Sequence, residues 1–491
     1  MSNNSGRVLR RVAAASSVIA VAGFVAAAPA LAAGNPPGPI GSAVKIAHIP
    51  SNGINHPYDV AVTPSGTSYV GWIGSKDEDG LFVRTVNLCT LAAGTSSCSG
   101  GVQAIDGVPD TTADDPGSPS SLQLVATPTG VELWWSYNTA SASVIAEANA
   151  LHGQNLTAEP GDDRAVPLGS DLLDAVFDPD GNLWTVSVNS AVSKKLTVYK
   201  NQASQAVTAP VAVDAAQLAF SGKTTILAVK KNASFKTPVE YSTASGTGEF
   251  LTFHKVAGTW ANGAPAMVHA GKGVRLLTQV NNATYRPVVA NFDGNHFDAP
   301  HLTSDKSHPG GNQPHDAATD PSGRVADATW EDDKLTVTAY PDDKHAAVSR
   351  LKVGGTLTYA PQIGESTRGI ATVAWSRNDG AAGSNLFVSH FRLGDVSRSA
   401  HDSAKGGSAV LTGPVNCLPV SNSKVQLKAH PAKGWKVHSR EIDLDGKKVG
   451  KSYLDGANLD GGKSFTLSGS VEFSRKGEHS TAKATITFHT C

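Results

Sequence analysis

The chain is poor in the signals that mark most enzyme classes. It has no GxSxG nucleophile elbow, no phosphate-binding P-loop and no dinucleotide fingerprint, so the usual sequence signs of nucleophilic, nucleotide and redox-cofactor chemistry are missing. Helix signals are scarce throughout. Only four cysteines occur in 491 residues, with no CxxC pair, and neither HExxH nor a tight His-x-His is present; the common zinc spacings are thereby removed. Beyond residue 32 no apolar run is long enough to span a bilayer. Strong charge of either sign is also lacking. With residues 1–32 set aside, 38 basic residues face 42 acidic ones, a net charge of minus four, and nothing resembles the basic surface that nucleic-acid binding requires.

What is present begins with an export signal. Arg7, Arg10 and Arg11 precede an apolar run from Val12 to Ala28, and Ala30-Leu31-Ala32 follows. Charged, apolar and small-residue segments in that order describe a secretory leader cleaved after Ala32. Arg10-Arg11 lacks the flanking pattern of twin-arginine export, which favours general secretion. The mature chain is expected to be extracellular, without a membrane span, and monomeric. In an oxidising compartment the four cysteines read as two local bridges, Cys89–Cys98 and Cys417–Cys491.

After a linker over 33–43 the chain is organised by repeats. Leu172–Lys200 reads as an apolar strand, the turn Asp178-Pro179-Asp180-Gly181, an alternating strand and a further hairpin. The unit recurs at Asp59–Gly66 and Asp316–Gly323, which places Asp59, Asp174 and Asp316 in one column. Seven apolar hairpins can be followed, from Thr67–Gly74 with Leu81–Leu88 to Ile370–Ser376 with Leu386–Leu393. A second phrase, Phe253–Trp260 followed by Ala264-Pro265, returns as Ala290–Phe297 followed by Ala299-Pro300, and is read as the outer hairpin. The period is roughly 50 residues, as in propeller blades. The expected fold is all-β: a β-propeller over 44–413, with seven blades favoured and six or eight as alternatives, then a small β-sandwich over 414–491. Val44–Ile49 is expected to close the ring from the far end of the chain.

Phe177-Asp-Pro-Asp-Gly-Asn-Leu-Trp184 resembles the blade motif of NHL and streptogramin-lyase propellers. Val373–Gly380 with Asn385–Ser389 is similar to sialidase-type repeats. Both resemblances imply a propeller and neither carries an active site across. There is no arginine triad with its RIP-type signature, and Ser75–Gly80 departs from an Asp box by an early glycine and a missing tryptophan.

From Pro414 lysine becomes frequent and short alternating strands continue. Asp445-Gly446 marks a hairpin turn. Glu441–Lys448 and the ending Thr485–Cys491 resemble immunoglobulin-like modules that close secreted bacterial proteins, which implies a spacer or adhesion unit. Trp435 is either a sugar-stacking platform or a core aromatic.

If the repeated strand is innermost, Asp59, Asp174 and Asp316 stand at the channel mouth, joined by His56, Asp171, His315 and Arg368 as ligand-binding candidates. The loops with Asp77-Glu78-Asp79 and Glu331-Asp332-Asp333 open on the same face, which should be acidic. Such carboxylates hold a hard cation such as Ca²⁺ or act as acid and base; alternatively each aspartate bonds backbone amides at its own loop entrance. The segment His301–Asp316, with His308 and His315, offers transition-metal ligands or is simply a solvated loop. Two functions follow. One is an exported protein binding an extracellular carbohydrate or protein at the acidic face, with the terminal module as spacer or adhesion unit. The other is a glycan- or peptide-directed lyase or hydrolase using the mouth carboxylates and histidine.

Overall fold

The computed structural model describes residues 38–490 except 50–56, 106–118, 139–142, 152–163, 190–194, 232–237, 257–265, 281–285, 303–314, 320–324, 341–346, 379–382, 460–463 and shorter loop pieces. The described residues form no helix. They build seven four-stranded antiparallel sheets, followed by sheets of three, five and two strands from residue 397 onward. The protein is a β-propeller with an all-β terminal module, and each four-stranded sheet is one blade.

In six blades the strands follow in chain order from the axis outward. Their inner strands are Tyr58–Val62, Pro119–Ala126, Ser170–Phe177, Val213–Ser221, Ala266–Ala270 and His315–Thr319, for blades 1 to 6. In blade 7 the inner strand is Gln362–Glu365, and the outermost strand, Gly38–Ile49, comes from the start of the propeller. That strand pairs antiparallel with Ser384–Arg392, from Gly38 opposite Arg392 to Ile49 opposite Ser384. Ring closure therefore follows the expected plan, but the closing strand begins six residues before Val44, inside the stretch read as linker. Side chains reinforce the seam between blades 7 and 1. Tyr58 donates to the carbonyl of Ala360 at 2.9 Å, and Ser68, Thr372 and His390 form a buried chain that ends on the carbonyl of Thr95.

The repeat has a physical basis in its turn. In blade 3, Asp178 accepts from the backbone of Asp180 and Asn182 and from the indole of Trp184 at 3.0 Å. Gly181 takes the positive φ of +81° that closes the reversal. Thr63 and Gly66 make the same pair of backbone bonds in blade 1. Trp184, positioned in this way, packs edge-on to Phe220 and Phe250 across the boundary with blade 4. The blade motif is thus a folding device: turn, cap and inter-blade anchor in eight residues.

Blades pack through apolar clusters shared by neighbours. Ile73, Leu88, Leu122 and Leu133 join blade 1 to blade 2, and Val186, Val198, Leu218 and Leu227 join blade 3 to blade 4. At the blade 7 to blade 1 contact a Cβ on Gly364 would lie 2.6 Å from Val62 Cγ2, so only glycine lets these inner strands approach.

Two readings are corrected. The phrase taken for one outer hairpin falls on different strands: His254 and Lys255 form an outermost strand, whereas Ala290–Phe292 ends a third strand. The domain boundary also moves from 413/414 to between Arg392 and Ser397. Strands Ser397–Ala404 and Gly407–Pro414 pair with each other and then with Gln426–Pro431. Their Ala409 and Leu411 enter the terminal core with Leu427, Leu467, Phe473 and Ile486. That core lies between this three-stranded sheet and a five-stranded one built on Ser464–Arg475 and Glu478–Thr490.

Candidate functional site

The seven inner strands surround a channel of about 500 Å³. Each presents one edge toward the axis, where backbone N–H groups have no further strand to pair with. The column found in the sequence meets this need. Asp59 accepts from the N–H of Val60 with one oxygen and from the N–H of Leu124, in blade 2, with the other, both at 2.7 Å. Asp174 accepts from Ala175 at 2.9 Å and from Leu218, in blade 4, at 2.7 Å. Asp316 accepts from Ile363, in blade 7, at 3.0 Å and from its neighbour Ala317.

The same position is held by glutamine in other blades. Gln217 accepts from the N–H of Met267 at 2.5 Å, joining blade 4 to blade 5. Gln123 donates to the carbonyl of Leu173 at 3.4 Å, joining blade 2 to blade 3. Gln362 fills the position in blade 7, and Ala266 leaves it apolar in blade 5. A belt of side chains stitches five of the seven inner strands to the next, from blade 1 through blade 5 and from blade 6 to blade 7. This sharpens the alternative weighed for the aspartates: they do bond backbone amides, and the decisive amide belongs to the neighbouring blade rather than to their own loop.

Burial governs the electrostatics of the belt. Asp59 is buried, and its carboxyl is pushed well above the ordinary range, first by desolvation and then by the charge of Asp316, with Asp174 adding to it. Desolvation likewise raises Asp174 to about 7 and Asp316 to about 6, against the backbone bonds that favour the charged forms. The three aspartates therefore line one channel and sense each other, yet near neutral pH they are not three full negative charges. Asp327, on the second strand of blade 6, is also buried and raised to about 7 by desolvation, with Tyr340 donating to it at 2.7 Å.

The remaining candidates divide. His56, His308 and Arg368 lie outside the described residues. Asp171 and His315 lie on inner strands, opposite Val188 and Thr329, and their side chains are outside the described set. Among the described residues no three of His, Cys, Asp and Glu are grouped to hold a metal ion. Asp59 and Asp174 turn both oxygens, and Asp316 turns one, onto backbone N–H groups. Cys89 and Cys98 are bonded, with Cα atoms 5.2 Å apart. Cys417 starts a short strand that runs parallel to the last one, opposite His489; its expected partner Cys491 lies outside the described residues. Trp435 is buried in the terminal core beneath Arg475, so it is not an open sugar platform.

Sequence reasoning missed Gln123, Gln217 and Gln362. For Gln123 and Gln217 the available signal was a glutamine set between apolar neighbours, in Leu-Gln-Leu and Ala-Gln-Leu; Gln362, in Gln-Ile-Gly-Glu, offered no such signal.

No family model matches the chain, and no curated protein matches it. Solved structures with a similar fold include the β-propeller domain of the Trilobed protease from Pyrococcus furiosus, described as having an open velcro topology. It is 10% identical, covers 70% of this chain and 99% of that one, and has a TM-score of 0.40. An ulvan lyase of polysaccharide lyase family PL25 is 10% identical over 70% and 95%, at 0.42. AofleA from Arthrobotrys oligospora is 10% identical over 64% and 90%, at 0.40.

Proposed function

We propose that the protein is an exported binding protein, whose propeller takes an extracellular carbohydrate or protein at the channel mouth and whose terminal module serves as an adhesion unit. In this reading residues 1–32 are the leader. The observation that favours binding over catalysis is the commitment of the column carboxylates. Asp59 and Asp174 use both oxygens on backbone N–H groups. A general acid or base needs its oxygen within reach of a substrate proton, and here that oxygen is part of the frame.

The test is a glycan and protein screen with the mature chain, with and without Ca²⁺, followed by size analysis of any polymer retained. Retention without shortening, independent of Ca²⁺ and reduced by Gln362→Trp at the channel mouth, is the expected result. Shortened polymer would instead establish the lyase or hydrolase reading.

A further inference from the structure

The two parts of the chain carry opposite charge. Residues 33–396 hold 24 Lys and Arg against 34 Asp and Glu, a net of minus ten, whereas residues 397–491 hold 14 against 8, a net of plus six. A balance near neutrality for the whole chain hides this division. Within the module the positive charge is concentrated where three turns meet.

The first turn, between Ala404 and Gly407, carries Lys405. The second, Ala432–Trp435, carries Lys433 and runs into Lys436, and the third, Arg475–Glu478, carries Arg475 and Lys476. Their meeting is fixed by close contacts. The N–H of Ala432 donates to the carbonyl of Gly406 at 2.9 Å, and the N–H of Gly406 donates to Ser480 Oγ at 3.0 Å. A Cβ on Gly406 would sit 3.0 Å from the Trp435 ring, so the first turn rests directly on that indole. The Arg475 guanidinium lies 5.7 Å from the ring centroid of the same tryptophan. Lys436 stands opposite Ser474 in the sheet, and Arg475 opposite Glu478.

Lys405, Lys433, Lys436, Arg475 and Lys476 are all exposed. Glu478 is the one acid on these turns, and it pairs with Lys405 at 3.2 Å. With Lys405 paired and Arg475 laid over Trp435, Lys433, Lys436 and Lys476 add repulsion with little gain to the fold; their placement is explained by a partner that supplies the opposite charge.

We infer that this tip is a docking surface for a linear acidic polysaccharide, the carboxylate- or sulfate-bearing chains being bridged by lysines on the three turns. The inference rests on the reading of the module as an adhesion unit and deepens it. A bilayer fits less well, since the tip's aromatic is buried and the exposed large hydrophobics among the described residues, Val102 and Leu251, lie in the propeller. Single-stranded nucleic acid lacks the exposed aromatic platform that would stack its bases.

The test uses the mature chain and three immobilised probes, polygalacturonate, heparin and duplex DNA, with anionic vesicles as a fourth arm. Binding to polygalacturonate or heparin at low salt is expected, weakening as salt rises. The triple variant Lys433→Gln, Lys436→Gln, Lys476→Gln should lose at least tenfold in affinity and show a shallower salt dependence. It should keep the wild-type melting curve and the channel ligand of the propeller. Arg475 is left in place because it covers Trp435. Wild-type chain that ignores both polysaccharides, or a triple variant that binds them as well as wild type, overturns the proposal. Equal lysine-dependent binding to DNA or vesicles overturns the assignment to polysaccharide. Loss of the channel ligand with tip binding intact would count against the propeller reading alone.

Discussion

The propeller and the terminal module handle charge in opposite ways. In the ring, a set of acidic groups is drawn inward: Asp59 is 7% exposed and Asp327 3%, and the column carboxylates are consumed in joining blade to blade. In the module the interior is apolar, from Leu411 to Phe488, and the ions stand outside, on turns and on the outer faces of strands. The difference follows from construction. A ring of radial sheets leaves inner edges that need acceptors for their N–H groups, while two stacked sheets bury only their faces. A column carboxylate in the ring is therefore first a structural part, and the lysines on the module's turns are free to meet a partner.

The comparison is broken most severely by removing residues 38–49. Blade 7 would lose its outermost strand and Ser384–Arg392 would become an open edge. Scanning calorimetry should then show the cooperative propeller transition abolished and the module transition retained. A module transition lost along with it would mean that the two regions do not melt independently.

A smaller effect is expected from Asp59→Ala, which leaves the buried N–H of Leu124 without its acceptor. The cost should be about 1–3 kcal/mol in urea unfolding, against changes within about 0.5 kcal/mol for Lys433→Gln on the module surface. Similar values for the two would remove the distinction between frame charges and displayed charges.

Acidity sharpens the contrast further. Asp59, Asp174 and Asp316 have folded-state pKa values raised above their unfolded ones. Their contribution to stability is fully present below the unfolded value of 3.8 and is lost as pH rises, through about 6 for Asp316 and about 7 for Asp174, and for Asp59 through its own raised value. Glu472 in the module behaves oppositely: the hydrogen bond from His479, then that from Ser439, holds its carboxyl below the usual range. Its contribution is present above the unfolded value and is lost as pH falls. Melting from pH 4 to 8 should thus lower the propeller transition while leaving the module's level or slightly higher. A propeller transition that rises over this range would contradict the raised values. The Asp174→Asn variant should flatten the propeller's pH dependence.

The repeat was legible because one turn chemistry recurs. Asp178-Pro-Asp-Gly181 and its relatives betray three blades, and the alternation of their neighbours supplies the rest of the seven second-strand hairpins. The inner strands Ala266–Ala270 and Gln362–Glu365 were not legible, since each lacks an aspartate in the column and the turn that follows it. The function of the column could not be read from one blade either. Asp59 meets Leu124 sixty-five positions away, and a bond between blades leaves no trace within either repeat. The boundary was misplaced because Ser397–Pro414 precedes the rise in lysine content, although its strands already pair with those beyond it.

Pairing of Gly38 with Arg392 joins the start of the propeller to the end of the ring. The two are 354 positions apart, so at roughly 5–20 residues per second the earlier strand waits roughly 20–70 s for its partner to be synthesised. Through that interval it is an unpartnered edge, the kind of segment that invites pairing between nascent chains. Pro39, Gly41 and Lys45 along its length discourage such pairing. The strand that makes the finished ring hardest to open is thus the one that must stay unattractive longest while the ring is being made.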